Sequence, residues 1–319
     1  MNTYLGIDTS CYTTSVSLVD ETYRVIADER KILEVAKGGR GLAQSNMVYQ
    51  HTRNLPELFE KLSTSLRDYM DIRAIGVTDK PRRREDSYMP AFYSGYGYAR
   101  SLAAVLGVPL YVISHQENHL FAVLRNLKKI GIEPFYGLHL SGGTTDFLYV
   151  SPDERGLSIT RIGGSSDISA GQFVDRVGVA MGLSFPAGSA IDTLAQQYSA
   201  VVRGAPVFYK SGEISFSGPE SQAQRYMAEK SYDMTKIAKW TLSTIWNGLE
   251  KLLDFGCERG MERLVAAGGV LSNTYLRECL IHYGGIHDIR IDTAEPCYSA
   301  DNATGAAFWA SYAYQKEKK

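Results

Sequence analysis

Two stretches built to one plan constrain this chain more than any other feature. Residues 4 to 8, Tyr-Leu-Gly-Ile-Asp, read as a buried strand ending on an acid. A small polar turn follows (Thr9 to Thr14), then an alternating strand from Ser15 to Val19. Residues 137 to 150 repeat the plan: a first strand Gly-Leu-His-Leu, a turn Ser141-Gly-Gly-Thr-Thr145, and a return strand Phe147 to Val150. Each hairpin carries hydroxyls and glycines at its tip, where backbone N–H groups suit phosphate oxygens. The expectation is an α/β protein of two similar halves facing each other across a cleft. The halves are placed at 1–125 and 126–319, the second with a helical insertion at about 160–260.

Between the hairpins the pattern predicts a helix at about Val48 to Tyr69, a strand Ile72 to Val77, a charged loop Asp79 to Asp86, a helix around Gly97 to Leu106 and a strand at 108 to 113. After the second hairpin, Gly163 to Asp175 reads as a loop entering a helix (Gly171 to Met181). Phe216-Ser217-Gly218 reads as a turn, and Met234 to Gly256 as a long amphipathic helix. Leu264 to Asn273 reads as strand, glycine turn and helix, which sets the amides of Gly268 and Gly269 at a helix N-terminus, an anion site. Asp301 opens the last helix and could cap it. Arg82-Arg83-Arg84 reads as a solvated turn, although nearby tyrosines (Tyr88, Tyr93, Tyr96) leave RNA contact open.

Within Ser114-His115-Gln-Glu-Asn-His119, two histidines stand four apart, between the strand-like run 108–113 and a helix-like run from Leu120. On a helix they share one face. Two imidazoles so placed can grip one transition metal; zinc, iron and nickel all suit. The alternative is a helix start capped by Ser114 with two surface histidines.

Composition narrows the classes. With 319 residues, 44% hydrophobic and 22% charged, the chain has ample material for a core. A net charge of −1 leaves no global basic field, so DNA is not an expected partner and RNA would need a local patch. Four cysteines without CxxC pairing favour reduced thiols and a cytoplasmic protein. No signal region opens the sequence and no apolar run approaches about 18 residues, so no membrane span is expected.

Taken in order, the acidic hairpin, the His pair, Ser-Gly-Gly-Thr, Gly-Gly-Val-x-x-Asn and Asp-Asn-Ala-x-x-Ala resemble the tRNA adenosine threonylcarbamoyltransferase (TsaD) family, once labelled glycoproteases or O-sialoglycoprotein endopeptidases. The resemblance implies the actin/sugar kinase/Hsp70 (ASKHA) fold: two RNase H-like halves with a nucleotide cleft between them. It implies that His115, His119 and Asp301 bind one iron or zinc. It places nucleotide contacts on Ser141, Gly142, Gly143 and Thr144 of the tip, on Asp175, Gly188 and Asp192, and on Asn273 beside Gly268 and Gly269. Some family members have a metal-binding tyrosine where this chain has His139. By alternation His139 shares a face with Ser141. It is therefore expected as a fourth ligand, the alternative being a histidine satisfied by a neighbouring carbonyl.

The chain departs from the family pattern in a cluster of places. Asp8-Thr-Ser-Cys-Tyr12-Thr13-Thr14 lacks the acidic pair of the first tip. Gly41 and His51 alone remain of the marked positions in the next motif. Asp79 to Pro90 replaces a Gly-Pro-Gly-Leu loop, Thr144 replaces a histidine, and Pro219-Glu220 follow Phe216-Ser217-Gly218. The lost carboxylates could position or deprotonate an attacking amine, a step worth roughly 100- to 10,000-fold. The chain thus reads as a divergent paralogue.

The implied activity is metal-dependent transfer from threonylcarbamoyl-AMP to a tRNA adenosine or a related amine, with Asp8 orienting the amine or a water. An adenine nucleotide, which magnesium could accompany, is the implied ligand. A related ASKHA-fold subunit and an ATPase subunit are the implied partners. The alternatives are a non-catalytic nucleotide-binding scaffold and an ASKHA-type phosphotransferase, in which the His pair has no role.

Overall fold

A computed structural model describes residues 1–10, 12–35, 42–64, 71–125, 133–228 and 231–318. Cys11, Gly41 and the end of the helix expected over 48–69 lie outside the described residues. Cys257 and Cys279 are free thiols. No helix among the described residues is long and apolar enough to cross a membrane.

The first sheet has five strands in the order β3-β2-β1-β4-β5. They are β1 Asn2–Thr9, β2 Thr13–Asp20, β3 Val25–Ile32, β4 Asp71–Lys80 and β5 Leu110–Ser114. β1, β2 and β3 pair antiparallel, while β4 and β5 join in parallel. The second sheet, β12-β11-β6-β7-β8-β10-β9, contains β6 Phe135–Leu140, β7 Thr145–Asp153, β8 Gly156–Ser165, β9 Phe208–Lys210, β10 Glu213–Ser215, β11 Arg263–Ala267 and β12 Arg290–Thr293. From β8 through β12 its strands repeat the order of the first sheet; β10 and β9 extend the β8 edge. The repeat seen in two hairpins therefore extends over five strands.

Packing divides the chain into two compact units, Met1–Ile132 with Pro152–Ser158 and Cys297–Lys319, and Glu133–Ser151 with Ile159–Pro296. The C-terminal segment, grouped by the sequence reading with 126–319, counts with the first unit because its helix lies on the first sheet.

In the first unit, Leu5, Ile7, Val16, Leu18, Ile75 and Val77 pack against α1 (Gln44–Thr64) and α2 (Ala91–Leu106). On the other face Tyr4, Val19 and Ala74 meet Ala307 and Ala310 of the last helix, α9 (Thr304–Glu317). A strand covered on both faces reads as a continuous apolar run, as β1 does. Gly6 and Gly76 are register partners across β1 and β4. A Cβ at Gly6 would stand 2.2 Å from the Ala303 carbonyl oxygen, and one at Gly76 2.0 Å from that of Ala306. The two glycines let the α9 backbone rest on the sheet itself.

In the second unit α4 (Ala170–Ala180), α5 (Gly188–Gln196), α6 (Ser217–Ala228), α7 (Met234–Cys257) and α8 (Thr274–His287) enclose a core that includes Phe147, Phe173, Phe216, Leu249 and Leu252. The long amphipathic helix is present as α7, capped by Asp233, which accepts from the amides of Thr235 and Lys236.

Several local expectations need correcting. Gly163 to Ser165 are strand, because β10 provides a ladder partner: Gly164 N donates to Gly212 O at 2.9 Å. Phe216-Ser217-Gly218 opens α6 instead of turning, because Asp167, far back in the chain, accepts from the amides of Phe216 and Ser217. α2 starts at Ala91, and β4 runs on to Lys80.

A methyl group at Gly76 is expected to force α9 off the sheet. Gly76→Ala should lose about 1–3 kcal/mol in urea unfolding, the usual range for overpacking. Gly97→Ala, at a helical site where a Cβ meets nothing within 4 Å, should gain about 0.5–1 kcal/mol. Equal behaviour of the two variants would refute the close-packing argument.

Candidate functional site

β5 ends at Ser114 and α3 (His115–Leu124) begins at the next residue. Ser114 accepts from the Glu117 amide, and the Glu117 carboxylate accepts from the Ser114 amide, a reciprocal cap that starts the helix at the first histidine. The cap foreseen at Ser114 is real. The histidines, however, are not surface groups: His119 is 2% exposed and the His115 side chain 16%.

Their ring nitrogens converge. His119 Nε2 lies 3.1 Å from His115 Nε2. Asp301 Oδ1 lies 3.4 Å from His119 Nε2 and 3.6 Å from His115 Nε2. One donor atom from each of the three falls within 4.8 Å of the others. Two imidazoles and a carboxylate at this spacing are a donor set that suits zinc or iron.

Asp301 reaches this place through Asn118, which sits within the histidine motif. Asn118 Nδ2 donates to Asn302 O at 2.6 Å, and its Oδ1 accepts from the Ala306 amide at 2.8 Å. Gly305 passes so close that a Cβ there would stand 1.9 Å from Asn118 O. Asp301 does not cap the helix: the cap position is Ala303, and the first helical amide, of Thr304, donates to Asn302 Oδ1 at 2.9 Å. That leaves the Asp301 carboxylate to the histidines.

Asp8 closes the other side. It is fully buried at the end of β1, with Oδ1 accepting from Thr78 Oγ1 at 2.6 Å and lying 3.0 Å from His115 Nδ1. Its Oδ2 is buried without a hydrogen-bond partner among the described residues. Burial alone would push His115 toward the neutral form, but the Asp8 and Asp301 carboxylates outweigh it and hold His115 well above its ordinary value. Burial and the neighbouring His115 push His119 down. Burial would raise Asp301, yet hydrogen bonds from His115 and His119 hold it well below the usual carboxylate range. Two carboxylates, Asp8 and Asp301, thus flank the His115 ring, one on each of its nitrogens.

His51 of α1 is a further buried imidazole in the same unit. Its Nδ1 lies 2.8 Å from Thr14 Oγ1, which accepts from Asn54 Nδ2 at 3.2 Å. Burial lowers the His51 pKa from 6.5 to about 4, with Asp8 opposing the shift.

The arginine loop is tied into the first unit. Arg83 Nη2 pairs with Glu117, which is fully buried, and Arg83 Nη1 meets Asp153 at 2.9 and 2.7 Å. Arg84 pairs with Asp86 at 2.8 Å. The turn is therefore less a free basic patch than a brace under α3.

The nucleotide-type residues all belong to the second unit. At the β6–β7 tip the Ser141 amide donates to Thr144 O at 2.9 Å, and Ser169, the cap of α4, donates to Gly142 O at 2.8 Å. A Cβ at Gly142 or Gly143 would meet nothing within 4 Å, so this face of the tip is open. Asp175 accepts from the Ala187 amide at 2.8 Å, one residue before Gly188 opens α5, and burial pushes its carboxyl up. Asp192 Oδ2 accepts from the amide and the hydroxyl of Thr274 at 3.1 Å, while its Oδ1 is buried without a hydrogen-bond partner among the described residues. Asn273 caps α8 through the Leu276 amide at 3.0 Å, and Gly268, at φ 105°, turns the chain after β11. His139 lies on β6 of this unit, in register with Ala267. The three-residue donor set is drawn from the first unit alone.

Thr78, Asn118 and Asn302 were assigned no role by the sequence, although Asn118 stands between the two histidines and Asn302 within the Asp-Asn-Ala motif.

A family model described as TsaD, tRNA N6-adenosine threonylcarbamoyltransferase, matches residues 31–308. A tRNA N6-adenosine threonylcarbamoyltransferase from Sulfurihydrogenibium sp. (strain YO3AOP1) is 30% identical over 321 residues, covering 98% of this chain and 91% of that protein. Among solved structures, component A of (R)-2-hydroxyglutaryl-CoA dehydratase from Acidaminococcus fermentans aligns with a TM-score of 0.56 at 14% identity, covering 100% of both chains. A ROK family glucokinase from Streptomyces griseus, in complex with glucose and AMPPNP, aligns at 0.54 and 14%, covering 97% of this chain and 99% of that one. The structural likenesses establish the ASKHA fold, with its two sheet-containing halves.

His51 gives a measurable pH effect on the metal-free protein. Between pH 6.5 and about 4 the unfolded chain binds a proton at this residue that the folded chain does not. Stability should therefore fall as pH falls through that window. His51→Gln, followed by thermal unfolding from pH 7 to pH 4, is expected to show a shallower decline than the wild type. Parallel curves would refute the assignment.

Proposed function

We propose a reaction from one established premise: the chain belongs to the TsaD family of tRNA N6-adenosine threonylcarbamoyltransferases. In our reading it transfers the threonylcarbamoyl group of threonylcarbamoyl-AMP to the exocyclic amine of a tRNA adenosine next to the anticodon, or to a related amine. The amine nitrogen bonds to the carbamoyl carbon, the bond from that carbon to the AMP oxygen breaks, AMP leaves with the electron pair, and the amine gives up a proton. The observation that carries the reading is the convergence of His115, His119 and Asp301 within 4.8 Å in a member of this family.

Those three residues would hold one iron or zinc ion. When bound, such an ion supplies Lewis-acid polarisation of the carbamoyl carbonyl. Asp8 has one uncommitted oxygen, Oδ2, with which to orient an amine or a water. In the second unit the backbone amides of the Ser141–Thr144 tip and of the Gly268–Gly269 turn would hold phosphate. Asp192 offers its unpartnered Oδ1 to ribose hydroxyls, and Asp175, Gly188 and Asn273 shape the same site. Magnesium could accompany the phosphates. The scaffold and phosphotransferase alternatives gain no observation of their own.

The test is complementation of a strain lacking the modification enzyme, with a related ASKHA-fold subunit and an ATPase subunit supplied and tRNA nucleosides measured by mass spectrometry. The wild type should restore the modified adenosine. His115→Ala and Asp301→Ala should lower the rate about 100-fold or more, since a metal contributes several kcal/mol to such a step. Absence of rescue by the wild type rejects the reading.

A further inference from the structure

The geometry points to Asp8 as the positioning residue of His115: its carboxylate takes the Nδ1–H of the ring and so turns the Nε2 lone pair toward Asp301 and His119. The inference rests on reading those three side chains as a metal centre, and it assigns Oδ1 of Asp8 a task separate from any contact that Oδ2 makes with substrate.

The strand register sets the carboxylate first. Ile7 pairs with Val77 across β1 and β4, so Asp8 and Thr78 are the next residues along. Thr78 Oγ1 donates to Asp8 Oδ1 at 2.6 Å, and Ser15 Oγ donates to the Asp8 backbone carbonyl at 3.1 Å. Side chain and backbone of Asp8 are thus both held, with the side chain fully buried. A buried carboxylate without a compensating partner is strongly disfavoured. The group that answers it here is the His115 ring, 3.0 Å away at Nδ1.

A carboxylate only accepts, so Nδ1 must be the donor. The opposite nitrogen, Nε2, then faces His119 Nε2 at 3.1 Å and Asp301 Oδ1 at 3.6 Å. The Oδ1 that binds Nδ1 is on the far side of the ring from that centre, so this oxygen acts through His115 and not as a ligand itself. A carboxylate behind a ligating imidazole fixes ring orientation and tautomer and strengthens the ligand, and its loss typically weakens metal binding 10- to 100-fold.

The experiment measures Zn2+ affinity of the full chain by competition with a chromophoric chelator, and Co2+ absorption in parallel, on wild type, Asp8→Asn and Thr78→Val. Asp8→Asn is expected to weaken Zn2+ binding about 10- to 100-fold, and Thr78→Val to weaken it by a smaller factor, with Co2+ spectra altered in both. A folded Asp8→Asn with wild-type affinity and spectrum overturns the inference. If Asp8→Asn does not fold, Thr78→Val decides, and an unchanged affinity there overturns it equally. A wild type that binds neither ion rejects the metal centre itself. That outcome differs from a wild type and an Asp8 variant that bind alike, which removes only the role of Asp8.

Discussion

The direct seating of the α9 backbone on two neighbouring glycines is the constraint on which the rest of the first unit depends. Gly6 and Gly76 leave no side chain between the sheet and the carbonyls of Ala303 and Ala306. The start of α9 is therefore fixed in depth by backbone contact, which adjusts less than side-chain packing does. Asn118 then fixes it in rotation, with one bond to Asn302 and one to Ala306. Asp301 precedes this anchored segment directly, and for that reason a residue late in the chain meets two histidines of its first half.

Around that junction charge and burial work together. Three carboxylates of the first unit, Asp8, Glu117 and Asp301, each have a cationic or imidazole partner: His115 for Asp8, Arg83 for Glu117, and the histidine pair for Asp301. Glu117 faces away from the donor set and joins the helix cap to the arginine loop, so α3 is braced from below while its histidines are aligned from the other side. A buried ion pair of this kind is weak evidence for added stability but strong evidence for a fixed arrangement, because removing one partner strands the other. The arginine loop thus supports the histidine helix.

The hairpin repeat, the long helix α7, the capped start at Ser114 and the glycine turn after β11 were legible because each is local. Their signals are alternation, helical period and turn chemistry within about a dozen residues. What was misread depended on distant partners. The strand at Gly163 to Ser165 needs β10, and the start of α6 at Ser217 needs Asp167. In the site, the spacing of His115 and His119 suggested a metal, whereas Asp301 came only through family resemblance. Thr78 carried no signal of its own.

The sequence by itself determined the two-fold α/β plan, the pairing of histidines on one helical face and the family to which the motifs point, since all of these are written in short-range pattern and motif order. The tertiary structure alone decided that Asp8 lies buried behind His115 and that the last helix belongs with the first sheet. These outcomes depend on how closely one backbone can approach another. That distance is set by which residues lack a side chain at the point of crossing, and it cannot be read until the crossing partners are known.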